Sequence, residues 1–135
     1  MPARHLDVGR IGEDAAAGHL EAKGLRVLER NVALGRLELD LVCEDGDTLV
    51  FVEVKTRAEG SLATPADGLT PQKRARLLRA AQSYLSKHDL WQRPCRFDLV
   101  SVLVRAGRVA AIQHVENAFS AEDAAGRRTS SWQPW

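Results

Sequence analysis

A strand-like run that carries two charged side chains is the feature that most constrains how this chain can fold. Residues 48–55 read Thr-Leu-Val-Phe-Val-Glu-Val-Lys, which is the composition of a β-strand buried in a sheet. Glu53 and Lys55 interrupt this apolar run. A charge in such a low-dielectric strand is costly unless it pairs with an opposite charge or binds a metal ion. A sequence that keeps two charges there indicates that this strand performs chemistry.

An acidic strand precedes this run. Residues 37–42 alternate as Leu-Glu-Leu-Asp-Leu-Val, which is the pattern of a half-buried strand. A two-residue Asp45-Gly46 turn would join the two strands as a hairpin and pair Asp40 with Phe51. In that register Asp40 is a diagonal neighbour of Glu53 on the same face of the sheet, roughly 7–8 Å away. A slip of one residue would place the two carboxylates on opposite faces.

The remaining pattern predicts two helices and three further strands. Thr70-Pro71 suits the N-cap and first turn of the second helix. The predicted helices cover residues 9–23 and 71–87, and the predicted strands cover 26–32, 37–43, 48–56, 96–104 and 108–115. The order α-β-β-β-α-β-β predicts one α/β domain over residues 1–117, with a mixed sheet flanked by helices. Residues 118–135 turn small and polar, so we expect a flexible tail there.

Composition narrows the class of protein further. The 135 residues suffice for one domain with its own core. Cys43 and Cys95 form no zinc-binding spacing, and no apolar run is long enough for a signal peptide or a membrane span. We therefore expect a cytoplasmic protein without a membrane partner. Residues 70–96 hold seven Lys or Arg against one Asp, although the net charge of the chain is only +1.

The charged residues of the hairpin suit metal-assisted phosphodiester chemistry. Asp40 and Glu53 can converge on one cation, and Mg²⁺ retains several waters, so two carboxylates and a backbone carbonyl suffice. Lys55, two residues beyond Glu53 on the same side, can hold a water or a phosphate oxygen. Glu13 lies on a small, apolar stripe of the first helix with Ala16, which makes it a candidate metal or water ligand. Helix-dipole stabilisation is the alternative role for Glu13.

Several motifs together resemble the bacterial YraN-like family. The motifs that carry the resemblance are Gly12-Glu13-Asp14-Ala15-Ala16, Arg30-Asn31, Glu38-Leu39-Asp40-Leu41-Val42, Phe51-Val52-Glu53-Val54-Lys55-Thr56-Arg57, Lys73, Ala80-Ala81, Tyr84-Leu85 and Phe97-Asp98. That family is assigned to the PD-(D/E)XK nuclease superfamily, near archaeal Holliday-junction resolvases. The resemblance implies a restriction-endonuclease-like core and an endonuclease that depends on Mg²⁺ or Mn²⁺. It implies Asp40, Glu53 and the Val54 carbonyl as metal ligands, Lys55 as catalytic, and Glu13 as auxiliary.

The partner inferred from these features is nucleic acid, with DNA favoured. Lys73, Arg76 and Arg79 recur every third residue of the second helix, which fits either phosphate contacts or a solvated face. A junction resolvase would also need a symmetric homodimer to cut two strands.

Other interpretations remain open. The hairpin charges could form a structural salt-bridge network with no metal. The whole chain could be a non-catalytic nucleic-acid-binding or scaffold protein that retains the nuclease fold. A weaker alternative is a protein-interaction module that uses the tail residues Trp132 and Trp135.

Overall fold

The chain forms one mixed sheet with a helix on each face. The computed structural model describes residues 4–59 and 69–120, with side chains from residue 8 onward. The elements are α1 (Arg4–Ala22), β1 (Arg26–Leu34), β2 (Leu37–Asp45), β3 (Thr48–Ala58), α2 (Pro71–His88), β4 (Cys95–Arg105) and β5 (Arg108–Phe119). This confirms the predicted α/β class and the element order. None of the helices in the described ranges is long and apolar enough to cross a membrane.

The five strands lie in sequence order across the sheet. The β3–β4 pair is parallel and the other three neighbouring pairs are antiparallel. A parallel pair needs a long crossover, and α2 supplies it. β4 therefore lies beside β3, so that the charged segment of β3 lies inside the sheet rather than at its edge.

Because side chains alternate along β3, they pack into two separate cores, one on each face of the sheet. Leu49 and Phe51 pack under α2, while Val50 and Val52 pack under α1. Leu77, Ala81 and Leu85 of α2 are buried, at the spacing of one helix face, and so are Ala16 and Leu20 of α1. Glu53 and Lys55 continue the alternation of Phe51, so they belong to the face that α2 covers.

The beginning of α2 forms as its sequence predicts. The Thr70 side chain accepts a hydrogen bond from the Lys73 amide at 3.2 Å, and Pro71 occupies the first turn. An N-cap residue followed by proline in the first turn starts the helix at a defined position. The cap fixes where Lys73 lies relative to β3.

Two predicted boundaries and one predicted register were wrong. α1 begins at Arg4, not at residue 9, and β5 runs to Phe119, so residues 118 and 119 belong to the sheet. The β2–β3 turn consists of Gly46-Asp47, not Asp45-Gly46, because Gly46, with φ of +60°, takes the first turn position that favours glycine. Asp45 therefore pairs with Thr48. The rest of the predicted tail, residues 121–135, lies outside the described residues.

Candidate active site

An irregularity in β2 positions Asp40. The β2–β3 pairing runs to Leu41 and Val52, and beyond this pair no further β2–β3 pairing is formed. Asn31 of β1, which lies across from Asp40, has a φ of +52°. Leu39 packs in the core under α2, whereas Leu41 packs in the core under α1. The strand thus rotates at Asp40, whose Oδ2 accepts a hydrogen bond from the Val54 amide at 2.8 Å.

Asp40 and Glu53 form a close pair of carboxyl groups. Continued by one step, the observed register brings Asp40 directly opposite Glu53, closer than the predicted diagonal arrangement and on the same face. Burial, followed by the charge of Asp40 and a hydrogen bond to it, raises the pKa of Glu53 to about 8. In a partly buried site the charge of one carboxylate raises the pKa of the other, and a cation bound between them offsets this repulsion. The pair is therefore suited to hold a divalent ion, which would replace the shared proton.

Two ammonium groups lie beside the carboxyl pair. Lys73, at the start of α2, lies close to Lys55 on β3. This contact, together with burial and the charge of Arg57, lowers the pKa of Lys55 to about 8, although Glu53 opposes the shift. The site thus combines two carboxyl groups and two lysines from β2, β3 and α2.

A cavity of about 230 Å³ opens at the carboxyl pair. Its walls come from the β1–β2 turn, β2, β3 and the first turns of α2, and its lining residues are Arg36, Leu37, Glu38, Asp40, Glu53, Lys73, Arg76 and Leu77. Three cationic side chains therefore face three carboxylates across a space large enough for a phosphate group. Such a mixed lining suits an anionic ligand bound through a cation.

The predicted site residues divide into two groups. Asp40, Glu53, Lys73 and Arg76 line the cavity, and Lys55 lies beside Lys73. Arg79 is exposed on α2 and does not line the cavity.

The other predicted ligand, Glu13, also lies away from the cavity lining. It belongs to α1, whose buried residues pack on the opposite face of the sheet. Within residues 4–59 and 69–120, no three His, Cys, Asp or Glu side chains form a group that could hold a metal. The roles of Glu13 and of the Val54 carbonyl stay predictions.

Sequence reasoning missed two cations near the site. Arg36 occupies the second position of a Gly35-Arg36 turn that joins β1 to β2. Arg57 was expected to begin a loop, but β3 continues through it to Ala58. Extending the alternation from Glu53 and Lys55 by two residues would have placed Arg57 on the same face.

Comparison with known proteins identifies the family to which the chain belongs. The family model described as "Uncharacterised protein family UPF0102" matches residues 12–102. A UPF0102 protein of Nitratidesulfovibrio vulgaris (strain DP4) is 51% identical over 135 residues, which cover 100% of this chain and 99% of the relative. A UPF0102 protein of Lawsonia intracellularis (strain PHE/MN1-00) is 41% identical over 132 residues, covering 98% and 99%. One from Ectopseudomonas mendocina (strain ymp) is 41% identical over 118 residues, covering 87% and 98%. The chain therefore belongs to the bacterial UPF0102 family.

Proposed function

We propose that this protein is a nuclease, dependent on Mg²⁺ or Mn²⁺, that hydrolyses phosphodiester bonds in DNA or structured nucleic acid. The observation that carries the proposal is that Asp40 and Glu53 line one cavity as a close pair, together with Lys73 and Arg76 and with Lys55 beside them. A partly buried carboxyl pair costs stability in the absence of a ligand, even with lysines beside it. That cost favours a functional role over a structural salt bridge.

The donor set fits a hard divalent cation. Both candidate ligands are carboxylates, and neither has a histidine or cysteine beside it among the cavity residues. Because Oδ2 of Asp40 accepts from the Val54 amide, Oδ1 is the oxygen left for the cation. Glu53 and the Val54 carbonyl would complete the protein ligands, with waters at the other positions.

Each residue has a role in hydrolysis. When bound, a divalent cation would activate a water and offset charge on the phosphate. Lys55 would hold the attacking water or a non-bridging phosphate oxygen, and its ammonium group would stabilise charge that develops in the transition state. Lys73 and Arg76 would attract the phosphate backbone to the cavity. The N-terminus of α2 adds a partial positive charge in the same direction.

Calorimetric titration with Mg²⁺ and Mn²⁺ tests the metal site. We expect binding to the wild type, loss of binding in the Asp40→Ala/Glu53→Ala double variant, and no change in Asp47→Asn, which alters an exposed carboxylate in the distant turn. Cleavage of branched, nicked and single-stranded DNA then tests turnover. Removal of Lys55 or Asp40 should lower the cleavage rate by about 10²-fold or more. Unchanged rates in both single variants would refute the mechanism.

A non-catalytic nucleic-acid-binding protein is the second candidate. It is favoured by the two-carboxylate site, since no third acidic ligand joins the pair in the described part of the chain. Binding that weakens linearly in log salt, without cleavage in either metal, would select this function. DNA as the natural partner and a homodimeric assembly stay predictions under both candidates.

A further inference from the structure

Two buried polar atoms on the α2-facing side of the sheet have no hydrogen-bond partner. In the described part of the chain, Nε of Arg57 and Oγ of Ser101 are the two such side-chain atoms. An orphaned buried polar atom is uncommon, because it costs about 1–3 kcal/mol relative to a satisfied one. Both residues lie next to the candidate active site, so each has an unused hydrogen-bonding group close to it.

The strand register brings these two residues to the same place. Lys55 of β3 pairs with Ser101 of β4 in the parallel ladder, and Arg57 pairs with Leu103 one alternation further. Glu53, Lys55 and Arg57 therefore form a row on one face, with Ser101 beside its centre. Successive members of the row are about 7 Å apart, two residues of a strand. That interval is comparable to the separation of adjacent phosphates along a nucleic-acid strand.

The charge of this row is not balanced by nearby carboxylates. Lys73 and Arg57 both repel Lys55, whereas Glu53 is the carboxylate that attracts it. Glu59, directly after β3, is the next carboxylate along the chain, and it already forms an ion pair with Arg105 at 2.8 Å. Ser101 is only 8% exposed, so its hydroxyl is held in the sheet and does not turn toward bulk water. A cluster of cations with a buried hydroxyl is suited to bind an anion.

We propose that Arg57 and Ser101 form a subsite for the phosphate adjacent to the one held at Asp40, Glu53 and Lys55. This inference rests on the proposed function and adds the substrate class. The substrate is a polynucleotide strand that runs along β3 and offers at least two consecutive phosphodiesters. Arg57 is a positioning residue, because it holds the strand without touching the reacting phosphate.

Binding of a single-stranded oligonucleotide, measured by fluorescence anisotropy in EDTA across a salt series, tests the subsite without turnover. Arg57→Gln should lower affinity about tenfold at low salt and reduce the slope of log affinity against log salt by about 0.7. Arg108→Gln is the matched control, because it removes the same charge from an exposed position on β5 and should change neither quantity. Ser101→Ala should weaken binding about three- to tenfold, while its thermal midpoint stays equal or rises.

Cleavage of short substrates gives the second readout. The wild type should cleave a trinucleotide with two phosphodiesters about tenfold faster in kcat/KM than a dinucleotide with one, and Arg57→Gln should bring that ratio toward one. Equal losses on both substrates, or an unchanged salt slope in Arg57→Gln, would overturn the subsite. A wild type that cleaves neither these substrates nor the branched, nicked and single-stranded DNA, while Arg57→Gln still shows the reduced slope, would refute the nuclease function and retain the subsite.

Discussion

At the scale of single residues, the proposed role of Glu53 conflicts with the stability of the fold. This residue lies on a strand between two cores, next to the carboxyl group of Asp40, where the proposed function requires it to bind a cation. Burial and the neighbouring Asp40 raise its pKa to about 8, which favours the proton-bound form near neutral pH. Removing the carboxylate should therefore stabilise the fold and destroy the site, which is the trade-off expected of a functional residue.

The pH dependence of stability should expose this conflict. The pKa of Glu53 rises from 4.5 to about 8 on folding, so the folded state retains a proton that the unfolded state releases between these pH values. The free energy of unfolding in the absence of metal must then decrease as pH rises from about 4.5 to about 8. Glu53→Gln should lose this decrease and exceed the wild type by on the order of 1–3 kcal/mol at pH 9.

Urea unfolding in EDTA at pH 5, 7 and 9 measures the difference. Glu38→Gln is the control, because Glu38 also lines the cavity but is exposed. A wild type whose stability declines no more than that of Glu53→Gln would mean that Glu53 folds in its ionised form.

At the scale of secondary-structure elements, a close contact sets the position of α1 on the sheet. A Cβ added to Gly12 would lie 1.9 Å from Oγ1 and 2.8 Å from Cβ of Thr56 on β3. Because glycine has no Cβ, α1 can pack against β3 more closely at position 12 than a larger residue would allow. Residue 12 thereby fixes how deeply α1 covers the β3 residues that alternate with Glu53 and Lys55.

Gly12→Ala should destabilise the protein by about 1–3 kcal/mol, the usual cost of overpacking. Thr56→Ala should restore part of this loss in the double variant, since it removes the nearest atoms. Gly18→Ala is the matched control in the same helix, with nothing within 4 Å of its added Cβ. It should raise stability by about 0.5–1 kcal/mol through helix propensity. Thermal unfolding of the wild type, Gly12→Ala, the Gly12→Ala/Thr56→Ala double variant and Gly18→Ala measures these differences. A Gly12→Ala variant as stable as the wild type would show that α1 can shift.

The elements also show what a sequence can and cannot predict. Alternation and capping identify the β2 and β3 strands and the start of α2 at Thr70, because these signals are local. They also place Asp40 and Glu53 on one face. The exact pairing of β2 with β3 is predicted wrongly from sequence. The turn could use Asp45-Gly46 or Gly46-Asp47 at similar local cost, and the whole sheet selects between them. The rotation at Asp40 lies across from Asn31, whose φ is +52°. Asparagine tolerates this conformation, but the residue type alone does not specify it.

At the scale of the whole molecule, a buried network ties the last two strands to the end of α1. The carboxylate of Asp98 on β4 accepts from Arg96 at 3.0 Å and from the Asn117 amide at 3.0 Å, and it lies 2.7 Å from Nε2 of His114. The other His114 nitrogen lies 2.8 Å from Nζ of Lys23, just beyond α1. The side chains of Asp98 and His114 are 0% and 1% exposed. These contacts give Asp98 a structural role, because they join β4 to β5.

Asp98→Ala should lower the free energy of unfolding by about 3–5 kcal/mol, because it leaves the Arg96 guanidinium without its buried partner. Asp98→Asn keeps an acceptor for the Asn117 amide and should cost less. Chemical denaturation compares the two with Asp47→Ala, whose carboxylate lies in an exposed turn. Equal small losses in all three would mean that solvent replaces the Asp98 contacts.

The single parallel pair among the described strands has a consequence for folding order. β1, β2 and β3 form one contiguous antiparallel unit, and β4 with β5 forms a second hairpin; among the described strands, β3–β4 is the pair that joins the two units within the sheet. Contacts between neighbours in sequence close quickly, whereas the crossover through α2 must close a long loop first. Lys73 arrives with that crossover, while Asp40 and Glu53 belong to the early unit. We therefore expect the candidate cavity to be completed late in folding, so that a nascent or partly folded chain would carry the Asp40–Glu53 pair without Lys73.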